Sequence, residues 1–171
     1  MYFTIEEDKR IQNRARFRDM ESETQIKFES EEISQINDIT VLFMEGNKDS
    51  IYPSVFQAPL FMVSDDLKRL IEPYDLAVIY RRVVMNQIQE ARQHSYWLLL
   101  PKEIDCLHES SEWYPNGWDK TIVLDREKIG ARRIFRAKGM QIPKVIVHMD
   151  VSESIMRRTF AGIVFQPLDV K

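Results

Sequence analysis

The feature that most constrains this chain is Tyr96-Trp97-Leu98-Leu99-Leu100, five consecutive large apolar residues stopped by Pro101. A strand with one wet face alternates apolar and polar side chains, so an unbroken run of this kind needs cover on both faces. Five residues are too few for a stable helix, and proline cannot donate to a ladder that continues past it. The run therefore predicts a central strand in a sheet with material packed on both sides.

The rest of the chain supplies candidate neighbours. Residues 1–5 and 24–28 alternate like half-buried strands, and the apolar stretch 39–44 reads as a buried strand ended by Glu45-Gly46-Asn47. Residues 8–19 read as a polar connection or a short helix. Pro59-Leu60-Phe61-Met62-Val63 leads into Ser64, placed to cap a helix whose first turn carries Asp65 and Asp66 at the positive end of the dipole. Leu67, Leu70 and Ile71 share one helical face, Pro73 ends the helix, and 76–80 running on to 83–85 reads as the next strand. The polar stretch 87–95 predicts a turn or loop. Residues 104–107 extend the central run or pair with it. Further strands are expected at 121–124, after the turn signal Pro115-Asn116-Gly117, and at 134–137.

Near the end, 144–148 reads as a strand. Asp150 and Glu153 have capping-box spacing for a helix that turns Val151, Ile155 and Met156 inward and carries Arg157 and Arg158 at its C-terminal end. Gly162 supplies a left-handed exit before a last strand at 163–165 that stops at Pro167. Strand, capped short helix, strand thus recurs at 59–80 and 144–165. The expected fold class is α+β: a mixed, largely antiparallel sheet with a few short helices, including two strand–helix–strand units.

At 171 residues, with 44% apolar and 30% charged side chains, the chain has enough core-forming material for one domain spanning 1–171, its first 50 residues being the more polar part. Cys106 is the one cysteine, so neither an internal disulfide nor a Cys-rich zinc site is expected. Acidic residues Glu6, Glu7 and Asp8 interrupt the start before a signal-like apolar stretch develops, and no run is long enough to span a bilayer. The expected location is the cytoplasm, without a membrane partner. The net charge of −3 conceals an asymmetry: residues 1–125 carry 14 basic and 23 acidic side chains, residues 126–171 carry 10 and 4. Such a distribution fits either solvated faces or an acidic surface that steers a basic partner, and it is not that of an evenly basic nucleic-acid binder.

Motifs for catalysis are missing. His94, His108 and His148 have no spacing that puts two on one helical turn, and there is no His-Glu-x-x-His or Gly-x-Ser-x-Gly arrangement. With five glycines in the whole chain, neither a phosphate-cradling loop nor a dinucleotide fingerprint is present. Cys106 lies in an apolar stretch, which suggests a buried, inert thiol. The densest polar cluster, Glu103, Asp105, His108, Glu109 and Glu112, offers oxygen ligands plus an imidazole, or else is a solvated acidic edge. No catalytic, cofactor-binding or metal-binding residue is assigned, and no cofactor is expected. Two basic stretches, Lys9, Arg10, Arg14, Arg16 and Arg18, and Arg132, Arg133, Arg136 and Lys138, are diluted by acidic or apolar neighbours, so nucleic acid is not the expected partner.

The surface candidate is the loop from Glu109 to Asp119, where Trp113, Tyr114 and Trp118 stand among acidic and turn-forming residues. Aromatic rings in such a loop either fold back as a lid over the core or project as anchors for a protein partner. The candidate partner-binding residues are Glu109, Glu112, Trp113, Tyr114, Trp118 and Asp119.

Several segments carry a resemblance in their order and spacing: Pro59-Leu60-Phe61-Met62-Val63-Ser64, residues 96–100, residues 121–124 before Asp125, Ile134-Phe135-Arg136, and Ser152-Glu153-Ser154-Ile155-Met156-Arg157-Arg158 followed by Gly162-Ile163-Val164-Phe165. Over roughly 57–167 the chain resembles a bacterial family of immunity proteins from polymorphic toxin systems. The resemblance implies a cytoplasmic protein that blocks a cognate toxin by direct binding, without catalysis. If the acidic surface makes the contact, the toxin is basic. The alternatives are a metal-assisted or hydrolytic enzyme built on the 103–112 cluster, and a nucleic-acid or phage-related accessory protein.

Overall fold

A computed structural model describes residues 1–18, 38–58 and 60–171. The strand expected at 24–28, the end of the polar connection at Asp19, and Pro59 lie outside these residues. In chain order the elements are β1 (Tyr2–Glu7), β2 (Arg16–Phe17), β3 (Ile39–Glu45), β4 (Val55–Phe56), β5 (Met62–Ser64), α1 (Asp65–Ile71), β6 (Ile79–Gln87), β7 (Arg92–Leu100), β8 (Glu103–Ile104), β9 (Glu112–Trp113), β10 (Asp119–Thr121), β11 (Val123–Leu124), α2 (Arg126–Ile129), β12 (Ile134–Ala137), β13 (Val145–His148), α3 (Met149–Met156) and β14 (Ile163–Val170). The fold is mixed α+β, dominated by sheet, with short helices.

Two six-stranded sheets carry the architecture, ordered β11-β14-β1-β13-β12-β8 and β2-β3-β6-β7-β5-β4, and β9 with β10 forms a separate ribbon. The pairings are mostly antiparallel, with parallel contacts between β3 and β6, β8 and β12, and β11 and β14. The strands flanking α1, β5 and β6, are separated in their sheet by β7; those flanking α3, β13 and β14, are separated by β1. Pro167, lacking an amide proton, is tolerated within β14 because that strand pairs on its outer side only through Asp169 and Val170.

The central run is covered on both faces, as its composition demands. Tyr96, Leu98 and Leu100 enter a core with Phe56, Met62, Val83 and Met85, while Leu99 joins Val63 and the α1 residues Leu67 and Ile71 in a second core. That second core also takes Ile5, Val145 and Val147 from the other sheet and Val151 and Ile155 from α3, so it is where the two sheets and two helices meet. A third core, with Cys106, Leu124, Ile129, Phe135 and Ile146, lies on the outer face of the first sheet.

Several sequence expectations are corrected. The predicted loop at 87–95 is a hairpin: β6 and β7 pair continuously from Ile79–Leu100 to Gln87–Arg92, leaving a short turn around Ile88 to Ala91. The polar side chains misled because a ladder is held by backbone groups, and buried Gln87 is satisfied by the Tyr52 hydroxyl at 3.0 Å and the Asn47 carbonyl at 3.3 Å. The stretch 39–44 is a strand but not a buried one. Ile39, Val41 and Phe43 are 56%, 52% and 46% exposed, because alternate residues share one face of β3 and it is the other face, with Leu42 and Met44, that turns toward the core.

Residues 104–107 neither extend nor pair with the central run: after Pro101 the chain crosses to the other sheet, where β8 pairs with β12. The strand at 121–124 divides into β10 and β11, which belong to different sheets. Residues 8–18 contain no helix. The capping box at Asp150 and Glu153 does not form, since the N-cap lies two residues earlier, at His148, whose imidazole Nδ1 accepts from the Asp150 amide at 3.4 Å. Ser64 does cap α1, accepting from the Leu67 amide at 3.4 Å, and the helix gives way to a 3-10 turn at Glu72–Tyr74 containing Pro73.

Two polar clasps join distant segments. Glu7, at the end of β1, holds Arg14 through two guanidinium contacts and accepts the Gln57 amide at 3.0 Å; Arg14 lies over the Phe56 ring at 4.7 Å. Asp75 accepts from Arg132 Nη1 at 3.3 Å and from the Arg133 amide at 3.4 Å.

Candidate functional site

The segment 109–121 folds as a projecting hairpin. Trp113 pairs with Asp119 and Glu112 with Thr121, with a register shift between them. At the tip, the Tyr114 amide donates to the Trp118 carbonyl at 2.8 Å and the Gly117 amide to the Tyr114 carbonyl at 2.9 Å, closing a turn over Pro115 and Asn116. The Asn116 side chain accepts from the Trp118 amide at 3.1 Å, the local bond that makes asparagine a turn former. Trp113, Tyr114 and Trp118 are 42%, 52% and 51% exposed, so the rings project rather than form a lid over the core.

The base of the hairpin is fixed from two sides. Buried Ser111 both donates to the Val123 carbonyl and accepts the Val123 amide, each at 3.0 Å. Lys144, just before β13, donates to Asp119 at 2.8 Å and approaches Glu6 at 3.9 Å. Across the ribbon, Lys120 donates to Glu112 at 2.7 Å, and this bond holds the Glu112 carboxyl below its ordinary range while raising the Lys120 ammonium. Of the six residues singled out in the sequence, Trp113, Tyr114 and Trp118 are bare, Glu112 and Asp119 are ion-paired, and Glu109 is exposed without an ion pair among the described residues. Lys144 and Lys120 escaped the sequence reading. Lys120 was within reach of it, because a turn centred on Pro115-Asn116-Gly117 folds the residues around 120 back onto Glu112; Lys144 had no local signal, 25 positions from its partner.

The carboxylate–histidine cluster disperses. Glu103 faces Arg136 at 3.9 Å, Glu112 is held by Lys120, and His108 Nδ1 sits 2.8 Å from the Ser110 hydroxyl. Among the described residues, no group of three His, Cys, Asp or Glu side chains is placed to hold a metal ion. Cys106 is fully buried, and burial, reinforced by the Asp105 and Asp125 carboxylates, pushes its thiol up to about 11.

Five residues of the basic stretches are held by carboxylates. Arg10 is held by Asp8, Arg14 by Glu7, Arg132 by Asp75, Arg133 by Asp150 and Arg136 by Glu103. An open polar recess of about 670 Å³ is lined by Gln12, Arg14, Arg16, Glu45 and Ser50, with cationic and acidic groups mixed and Arg14 already committed to Glu7. A further exposed apolar row is formed by Ile39, Val41 and Phe43 on β3. No helix among the described residues is long and apolar enough to cross a membrane.

A family model described as the immunity protein family (Imm11) matches residues 4–170, nearly the whole chain and well beyond the stretch 57–167 that carried the resemblance in the sequence. No curated protein gives a significant match.

Proposed function

The chain belongs to the Imm11 immunity protein family, and from that premise we propose that it neutralises a cognate bacterial toxin of a polymorphic toxin system by direct protein–protein binding in the cytoplasm, without chemistry of its own. The family match over residues 4–170 is the observation that carries this reading. The arrangement of reactive groups supports it: Glu103, Glu112 and His108 are held by three different partners, and the lone thiol is buried and protonated.

We assign the toxin contact to the hairpin, with Trp113, Tyr114 and Trp118 as anchors, Glu109 and Glu112 on its flank and Asp119 at its base. Half-exposed tryptophan and tyrosine on a braced turn are the residue types that dominate binding energy at protein interfaces. The acidic excess of residues 1–125 suits a basic toxin, drawing it in over the distance set by ionic screening.

Co-expression with the toxic domain encoded beside this chain is the test. The expected result is rescued growth and a co-purifying complex of the two proteins. Toxicity that persists although the chain is expressed in soluble form would overturn the reading.

A further inference from the structure

Resting on that reading, we infer that the hairpin is a pre-set aromatic plug for an apolar cleft on the toxin, a cleft that also offers hydrogen-bond acceptors, and that the Lys144–Asp119 pair is its positioning device. The lifetime of the complex then comes from the rings and not from charge.

The first support is the state of the charges. Glu112 is spent on Lys120 at 2.7 Å, and Asp119, with 15% of its side chain exposed, on Lys144 at 2.8 Å. Of the charges on the hairpin and its brace, Glu109 alone lacks a partner among the described residues, so a partner docking on the rings meets a single uncompensated charge, on the flank. A nucleic acid is disfavoured because the lysine on the hairpin and the lysine that braces it are both already paired with carboxylates.

The second support is the state of the rings. Trp113, Tyr114 and Trp118 all lie within six residues, each with about half its surface in water. Among the described residues, neither indole N–H nor the Tyr114 hydroxyl has a hydrogen-bond partner within the protein, whereas Trp97 spends its N–H on Asp65 at 2.8 Å. An indole can donate and cannot accept, so a cleft that swallows these rings must supply carbonyl or carboxylate oxygens where the N–H groups end.

The third is pre-organisation. Backbone bonds within the turn, the Asn116 bond and the two anchors at Ser111 and Asp119 fix the tip before any partner arrives, which lowers the ordering cost of binding. Lys144 acts through Asp119 and touches no ring, so its role is to aim the hairpin.

The test uses the full chain and the purified toxic domain encoded beside it, rendered inactive, with association and dissociation rates followed by surface plasmon resonance. Trp113→Ala with Trp118→Ala should weaken binding by at least about 100-fold, mainly through faster dissociation, in line with two anchor residues lost. Raising NaCl from 0.05 to 0.5 M should change the dissociation rate by less than about threefold while slowing association. Lys144→Gln should weaken binding and raise the mobility of the hairpin tryptophans in fluorescence anisotropy, and Lys144→Arg should restore both. Unchanged urea denaturation of the tryptophan variants excludes misfolding.

If the wild-type chain fails to bind this toxin, the proposed function falls and the plug with it. If it binds and the double tryptophan variant binds equally well, the plug alone is overturned. Loss of binding on Val41→Glu with the tryptophan variant unaffected would move the interface to β3 and overturn it too. Dissociation accelerated tenfold by salt would mean that charge, not the rings, sets the lifetime, and would overturn the inference.

Discussion

The Glu7–Arg14 clasp makes a quantitative test of how the two sheets are held together. The Glu7 side chain is 6% exposed and accepts from Arg14 Nε, from Arg14 Nη2 at 3.0 Å and from the Gln57 amide at 3.0 Å. Arg14 keeps 26% of its side chain in water and stacks over Phe56. Removing one partner of a buried pair costs about 3–5 kcal/mol, because the remaining charge is stranded. The two single variants therefore differ. Arg14→Met leaves a buried carboxylate with one amide donor and should cost the full range, about 4 kcal/mol. Glu7→Gln leaves a guanidinium that water can reach and an amide that still accepts from Gln57, and should cost about 2 kcal/mol. The double variant strands no charge; it should cost about 3 kcal/mol, less than the two singles together, a coupling of about 3 kcal/mol. Urea denaturation reads these directly: with m near 2 kcal/mol/M, the midpoint should fall by about 2 M for Arg14→Met and about 1 M for Glu7→Gln, at unchanged m. Equal damage from the two single variants, or additivity within about 0.5 kcal/mol, would refute the stranded-charge argument.

Four further outcomes are expected. Gly162 has φ +76°, and a Cβ there would lie 2.6 Å from both Ile11 Cδ1 and Pro53 Cβ, whereas Gly130, at φ +62°, has open space. Gly162→Ala should therefore cost more than Gly130→Ala, whose cost is backbone strain alone, about 1–3 kcal/mol at its φ of +62° and ψ of −133°, as read by urea midpoints; equal costs would mean the contacts relax freely. His94 stacks on Tyr52 at 3.6 Å, and burial holds its imidazole below 6.5. On acidification the unfolded chain takes up this proton first, so stability should drop as pH falls below about 6.5 and level off below the folded value. His94→Phe should remove that part of the pH dependence in denaturation curves at pH 7.5 and 5, and identical slopes would count against it. Cys106, with its thiol near 11, should have a thiolate fraction on the order of one in a thousand at pH 8 and react with a thiol reagent only on unfolding; prompt labelling of the folded protein would contradict the burial. Trp113→Ala and Trp118→Ala should each change stability by less than about 0.5 kcal/mol in the same urea assay, and a larger loss would mean the rings help hold the fold.

What was legible in the sequence was local. Tyr96 to Leu100 had to be covered twice, and Ser64 with Asp65 and Asp66 marked a helix start, because strand burial and end-capping are written within a few residues of where they act. The turn at Pro115-Asn116-Gly117 was legible for the same reason, although whether its aromatic neighbours faced in or out was not. What stayed hidden depended on partners far along the chain. Polar residues 92–95 are strand because β6 offers them a ladder, and Gln87 is buried because Tyr52 and Asn47 satisfy it. His148, with no cap-like composition around it, takes over a capping role from Asp150 because β13 delivers it to the helix end.

The hairpin shows the same division, with a consequence for how partner choice relates to folding. Its turn is specified by residues 114–118, its orientation by Ser111 against Val123 and by Lys144 against Asp119. None of the three anchor rings takes part in either set of bonds, and none belongs to a hydrophobic core. Exchanging a ring for another side chain therefore removes exposed aromatic surface without removing a fold-specifying bond, whereas exchanging Lys144 removes a bond that fixes the hairpin's orientation. On the proposed function, changes at 113, 114 and 118 should retarget the protein at little cost to stability, and changes at 111, 119 and 144 should weaken recognition of any toxin. Swapping Trp118 for Phe or Leu, then comparing binding to the cognate toxin and to a related one, separates the two cases: a shift in preference is expected at 118, and a uniform loss on Lys144→Gln. A uniform loss at 118 as well would mean that the rings, too, serve only to build the surface.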